Sequence, residues 1–279
     1  MAACQGTFKG HTNQVWDVAW AGAGRIVSAS WDRTAKLWSV ADQRELGTFT
    51  NAWAYCVCWL GDNRIASGSY DNTVRIWDIE TQACLATLTG HTSWVWCVIS
   101  LGDGRLVTGS QDTSLRVWSV SSLSCVGTLT GHTHWVMAVA SLDDGRIVSA
   151  SWDKTLRVWD VSSQSCVAVL KGHADVVLDV VSVGGGRVVS ASNDGTLKLW
   201  DVATAACIGT FSGHTDCVAC VRLLCPDKIV SSGADKTVRV WDLNTQSCLE
   251  THDTVHGEGR HRMIALDDGR LLICSGNQK

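Results

Sequence analysis

The stretch "GHTSWVWCVISLGDGRLVTGSQDTSLRVWSVSSLSCVGTLT", residues 90–130, is one period of a repeat, and its reading decides the fold. After Gly-His comes an apolar run, "WVWCVISL", with strand periodicity, so that Trp94 and Trp96 point to one face and Val95 to the other. "GDGR" follows, where Asp-Gly supplies the positive φ of a tight hairpin turn. A second strand, "RLVTGS", meets an Asp-led turn. A third, "SLRVWSV", ends at Trp118, and a fourth, "SCVGTLT", runs into the next Gly-His. One period predicts four short antiparallel strands and no helix.

The period recurs along the chain. Gly-His stands at 10–11, 90–91, 131–132, 172–173 and 213–214, the last four 41 residues apart. Each unit closes on a tryptophan (Trp38, Trp77, Trp118, Trp159, Trp200, Trp241), six residues after the Asp of "WDRT", "YDNT", "QDTS", "WDKT", "NDGT" and "ADKT". These six units leave no linker or second domain, so residues 1–279 read as one domain. A hydrophobic fraction of 46% and a charged fraction of 18% are globular composition. The net charge of −4 gives no ground for nucleic acid or an anionic membrane. No apolar run approaches the ~18 residues of a membrane helix, and "MAACQGTFKGHT" lacks the apolar centre of a leader. Thirteen cysteines, an odd number, point to a reducing compartment, the cytoplasm or nucleus, rather than to a disulfide framework.

These motifs resemble the WD-repeat family of β-propellers, whose four-stranded blades surround a central channel. The resemblance implies a hydrogen-bonded tetrad of His, Ser or Thr, Asp and Trp in each blade. The matching residues are His11, Ser28, Asp32 and Trp38 in the first unit; His91, Thr108, Asp112 and Trp118 in the third; and His132, Ser149, Asp153 and Trp159 in the fourth. The fifth has His173, Ser190, Asp194 and Trp200, and the sixth has His214, Ser231, Asp235 and Trp241. The second unit is two residues shorter and has no Gly-His, so Ser67, Asp71 and Trp77 lack a histidine. Ser, His and Asp also make hydrolase triads, but a nucleophile is needed once, whereas this set recurs at fixed phase with Trp as a fourth member. The tetrads read as scaffold.

The ends suggest how the ring closes. "CQGTFKGH" at 4–11 matches "CIGTFSGH" at 207–214, making residues 2–8 a fourth strand without its first three. "ALDDGRLLICSGNQK" at 265–279 matches "SLDDGRIVSASWDKT" at 141–155 and supplies the first two strands of a partial seventh repeat, 249–279. Joined, they predict a seven-bladed propeller of four-stranded antiparallel blades, the last incomplete and closed by the N-terminal strand. Gly276 and Asn277 replace the usual turn residue and Asp, so either the last blade is defective or the chain is a piece of a longer one.

Other candidate chemistry has bland readings. Cys84, Cys125, Cys166, Cys207 and Cys248 recur every 41 residues as small strand hydrophobes, with Cys4 in the same phase. "CVAC" at 217–220 lies in a strand, where its ends face opposite ways, and His252, His256 and His261 form a loose run. Neither makes a metal site, and no cofactor is expected. Sixteen of the 23 lysines and arginines occupy repeat positions around the ring, including Arg33, Lys154 and Lys236 in Asp turns.

Three positions per unit share one end of the disc: three after the His, five after the His, and the residue before the Asp. In related propellers these commonly contact a partner peptide. Here they are Gln14, Trp16 and Trp31; Trp53, Tyr55 and Tyr70; Trp94, Trp96 and Gln111; and Trp135, Met137 and Trp152. The fifth and sixth units carry Val176, Leu178, Asn193, Cys217, Ala219 and Ala234. The intervening position is Val15, Val95, Val136, Val177 and Val218, the uniform volume that a packed layer requires. The flanking positions swing from Ala to Trp, which an open rim tolerates better than a core. Trp20 and Trp59, deeper in the strand, read as core. The expectation is a non-catalytic interaction scaffold, a monomeric propeller within a larger complex or longer chain. Its aromatic half-face binds a hydrophobic or mixed peptide, with room for a cation over the indoles and no arginine for phosphate. One alternative is the substrate-recognition module of a ubiquitin ligase, suggested by "CLATLTGH". An enzyme using the central channel or the C-terminal histidines is the rival from another class.

Overall fold

A computed structural model describes residues 6–50, 53–254, 262–265 and 270–274. The first blade comprises strands Val15–Trp20, Arg25–Ser30, Thr34–Ser39 and Arg44–Thr50, hydrogen-bonded in chain order and antiparallel throughout. Five more four-stranded sheets repeat this order, starting at Ala54–Gly61, Val95–Ser100, Val136–Ser141, Val177–Gly184 and Val218–Cys225. Each first strand packs on the first strand of the next blade, so these strands line the centre and the fourth strands form the outer edge.

The core is a set of layers between blades. Trp77 of the second blade packs on Val27, Leu37 and Phe49 of the first. Trp118, Trp159, Trp200 and Trp241 each insert in the same way against the blade before their own. The closing tryptophan therefore does two jobs: its ring fills an inter-blade layer, while its N–H serves the tetrad of its own blade.

The blade count corrects the sequence expectation. Among the described residues there are six four-stranded blades, not seven, and six repeats match the family pattern. The last described strands, Met263–Ala265 and Leu271–Ile273, form only a two-stranded ladder. Met263–Ala265 packs on the first strands of blades six and one. Ile264, Leu272 and Cys274 face Trp38 and Val18, while Met263, Leu271 and Ile273 face Val230 and Val238. An outer strand can pair only with a third strand, and among the described residues none follows Leu271–Ile273. Residues 6–10 lie outside any strand, and Phe8 packs edge-on against Trp38 at 5.8 Å. Residues 2–5, His256, His261, Gly276 and Asn277 lie outside the described residues.

Two bulges that recur in every blade shape what the strands present. The first strands slip register by one residue at Trp16, Tyr55, Trp96, Met137, Leu178 and Ala219. The fourth strands do so at Leu46, Leu85, Val126, Val167, Ile208 and Leu249. A bulge re-aims its extra residue. On the first strand this residue sits at the inner rim position. On the fourth it is an exposed aliphatic in five of the six blades.

Candidate functional site

The tetrads set the frame of the top face. In the fourth blade His132 Nδ1 lies 2.6 Å from Asp153 Oδ2, and Nε2 lies 2.7 Å from Ser149 Oγ. Trp159 Nε1–H donates to the same hydroxyl at 2.8 Å, and Asp153 also accepts the amide N–H groups of Thr133 and Thr155. A consistent proton order follows: Trp N–H to Ser Oγ, Ser O–H to His Nε2, and His Nδ1–H to Asp. Burial pushes the His132 imidazole below its ordinary value, and the nearby carboxylate only partly offsets this. Burial would raise the Asp153 carboxyl, but hydrogen bonds from His132 and Thr155 hold it far below its ordinary value. The histidine, hydroxyl and carboxylate repeat this geometry at His11, His91, His173 and His214. In the second blade, which has no histidine, Asp71 is paired with Arg75 instead.

Each Asp turn carries one rim residue and binds another. The amide before the Asp donates to the carbonyl three after the His, joining Trp31 to Gln14, Tyr70 to Trp53, Gln111 to Trp94 and Trp152 to Trp135 at 2.9–3.1 Å. The bulge brings the third position inward beside this pair. The result is one continuous cluster of nine rings across blades one to four: Trp16, Trp31, Trp53, Tyr55, Tyr70, Trp94, Trp96, Trp135 and Trp152. Neighbouring centroids lie between 4.3 Å (Trp135–Trp152) and 6.3 Å (Tyr55–Tyr70). His134 stacks on Trp152 at 5.3 Å and extends the surface.

The twelve rim residues of blades one to four are not equally open, and Gln14 is half-buried. Trp31 and Tyr70 are 46% and 45% exposed, and Trp16, Trp53, Trp94, Trp96, Gln111, Trp135 and Trp152 are half-buried. Tyr55 and Met137 are buried, at 3% and 1%, and Tyr55 forms the floor of the cluster rather than its surface. Trp20 and Trp59 are partly buried, each against a core layer. The Nε1 atoms of Trp16, Trp96 and Trp152 and the Oε1 atom of Gln111 are enclosed without a hydrogen-bond partner. The close ring neighbours of these indoles are other aromatics, which offer at most a weak N–H···π contact.

Two features escaped the sequence reading. Arg33, in the left-handed position of its Asp turn (φ 70°), lays its guanidinium over Trp53, with Cζ 4.1 Å from the ring centroid. The rim positions hold no arginine, yet a turn residue brings one to the aromatic face. The available signal was its place two residues after Trp31, in "WDRT".

The second feature is a charged group in the centre. Asp179 accepts from Arg222 Nη1 at 2.6 Å, from Arg262 Nη1 at 2.8 Å and from the Val221 amide at 3.0 Å. Burial would raise the Asp179 carboxyl, and the two guanidiniums hold it below its ordinary value. Asp17 occupies the same position in blade one, where burial pushes its carboxyl up against the pull of Arg262. These four residues, with Cys56, Cys58, Cys97 and Trp96, help line a cavity of about 470 Å³. An aspartate inside an apolar strand ("QVWDVAW", "DVVLDVV") was the missed signal. Burial pushes the thiols of Cys58 and Cys97 up to about 12, which makes them poor nucleophiles at neutral pH.

A ring of four-stranded blades, each with its tetrad or a remnant of it, defines a repeat-built propeller. The chain belongs to the WD40 family (WD domain, G-beta repeat), whose repeat pattern matches residues 2–39, 43–78, 82–119, 123–160, 164–201 and 205–242. Among solved structures it is similar to the WD40 beta propeller domain of Doa1. The identity is 28% and the TM-score 0.86, over 97% of this chain and 92% of that one. No curated protein matches the chain. Propellers of this family typically serve as protein-interaction scaffolds.

Proposed function

We propose that this propeller is a non-catalytic scaffold that binds a partner peptide on the aromatic half of its top face. The observation that carries this is the continuous ring cluster on blades one to four, open to solvent at Trp31 and Tyr70. Exposed aromatics gathered in one patch mark interaction surfaces, and Trp and Tyr are characteristic hot-spot residues. The enclosed indole N–H groups support the same reading. A packing role alone is filled better by Phe or Leu, because an unsatisfied buried donor costs about 1–3 kcal/mol. Against catalysis stand the repetition of the Ser-His-Asp set and the engagement of Asp179 by two arginines. A reducing compartment, cytoplasmic or nuclear, remains part of the proposal.

The test compares wild type with Trp31→Ala combined with Tyr70→Ala in affinity capture and thermal melting. Loss of specific partners at nearly unchanged Tm is the expected result. Captured partners that are identical for both proteins would refute the assignment.

A further inference from the structure

We infer that Arg33 makes the aromatic face a receptor for an acidic side chain carried in an aromatic or aliphatic peptide segment. The inference rests on the reading that this face binds a peptide, and it names the chemistry of that peptide.

Arg33 is an exposed guanidinium already held in place. Its backbone sits at φ 70° in the Asp turn, and its side chain stacks on Trp53. Trp53 is itself held at φ 40°, a conformation that bulky residues rarely adopt. Stacking covers one face of the guanidinium and leaves its N–H edge free. Among the described residues that edge has no hydrogen bond and no carboxylate partner.

Other cations of blades one, two and four are engaged. Arg75 pairs with Asp71, Lys36 with Glu45, and Lys154 bonds the Ala174 carbonyl with Asp175 at 3.9 Å. The carboxylate next to Arg33 in sequence is not available to it. The Asp32 side chain is only 6% exposed, and its oxygens are held by His11 and Thr34. Arg33 is therefore a cation without a counter-ion at the edge of the ring cluster.

A peptide lying on these rings would exclude water from around Arg33 and strengthen whatever charge interaction forms there. A carboxylate meets that need, since it matches the planar guanidinium fork through two parallel hydrogen bonds. A peptide lysine at the same place would stand against an uncompensated charge. Phosphate is the weaker fit: phosphopeptide sites use clusters of arginine, and Arg75 of blade two is occupied by Asp71.

The probe is a phage-displayed library of random dodecapeptides, selected in parallel on wild type, Arg33→Met, and Trp31→Ala combined with Tyr70→Ala. Methionine keeps the stacked volume without charge. The wild-type pool should be enriched in Asp or Glu beside aromatic or aliphatic residues. The Arg33→Met pool should keep the apolar preference and lose the acidic one, and the double variant should lose both. A synthetic peptide from the wild-type pool should bind wild type roughly tenfold or more tightly than its Glu→Gln or Asp→Asn analogue, with no such difference on Arg33→Met. A phosphoserine analogue should gain nothing over the carboxylate.

A wild-type pool that is neutral or basic, or acidic enrichment that survives in Arg33→Met, overturns the role of Arg33 and leaves the peptide-binding reading standing. A tighter phosphoserine peptide overturns the choice of carboxylate. Identical pools on wild type and the double variant refute the peptide-binding face itself, and this inference with it.

Discussion

In each tetrad the Ser or Thr hydroxyl joins two partners that never touch it in sequence, a histidine 17 residues before and a tryptophan 10 residues after. Removing one member strands the others in a place that water does not reach. Asp153→Ala should cost about 1–3 kcal/mol in urea unfolding, because His132 and two amides lose their acceptor. Asp71→Ala should cost less, since its main partner is Arg75 at the surface. Equal losses would contradict the network.

The same groups set a pH dependence. Burial depresses the pKa values of His11, His132 and His214 below the ordinary 6.5, so between the folded and unfolded values the unfolded chain binds more protons. Their contribution is complete above pH 6.5 and is lost as the pH falls through the folded values. Asp112, Asp153 and Asp194 are held far below 3.8, so theirs is complete above pH 3.8 and lost further into acid. Urea midpoints should fall from pH 7 to pH 5.5 and again below pH 3.8. A midpoint that rises over the first interval would remove the histidines from this account.

At the scale of the strand, the bulges matter most. Each fourth strand is an outer edge with unpaired N–H and C=O groups, the surface through which sheets aggregate. Its extra residue breaks the ladder there and, in five of the six blades, turns an aliphatic outward, as with Val126 between Cys125, opposite Trp118, and Gly127, opposite Val117. Val126→Lys should therefore change stability by no more than about 0.5 kcal/mol, whereas Val117→Lys, which buries an unpaired charge, should cost more than about 4 kcal/mol. Thermal melting of the two variants checks this. If both unfold alike, the outward aim of the bulge is wrong.

The whole ring depends on how its ends meet. Arg262 precedes the two-stranded ladder and reaches Asp179 of blade five, where Arg222 of blade six also binds. One carboxylate thus ties together blades five and six and the ladder that separates blade six from blade one. Asp179→Ala would leave two guanidiniums facing each other in the centre and should cost about 3–5 kcal/mol. Limited proteolysis should show cleavage first near the ladder. A variant as stable and protease-resistant as wild type would show that the ring closes without this link.

The sequence by itself determined the blade: its strand order, turns, tetrads and closing tryptophan, and the exception in the second unit. All of these lie within a period of about 41 residues and are repeated, so each copy checks the others. The positions of the aromatic rim were legible for the same reason. Tertiary structure alone decided the rest, because it depends on residues from different blades. The strands Met263–Ala265 and Leu271–Ile273 look like the start of another blade, but a blade exists only where a third strand pairs with the second, and the described residues form six blades with a two-stranded ladder. Strict alternation puts Tyr55 and Met137 on the open rim, yet both are buried. Arg33 reaches Trp53 from the adjoining blade, and Arg262 meets Asp179 across 83 residues. Hydrophobic period and turn chemistry are local signals, whereas a ring's closure and the fit of charges at its centre are settled only when distant segments compete for the same space.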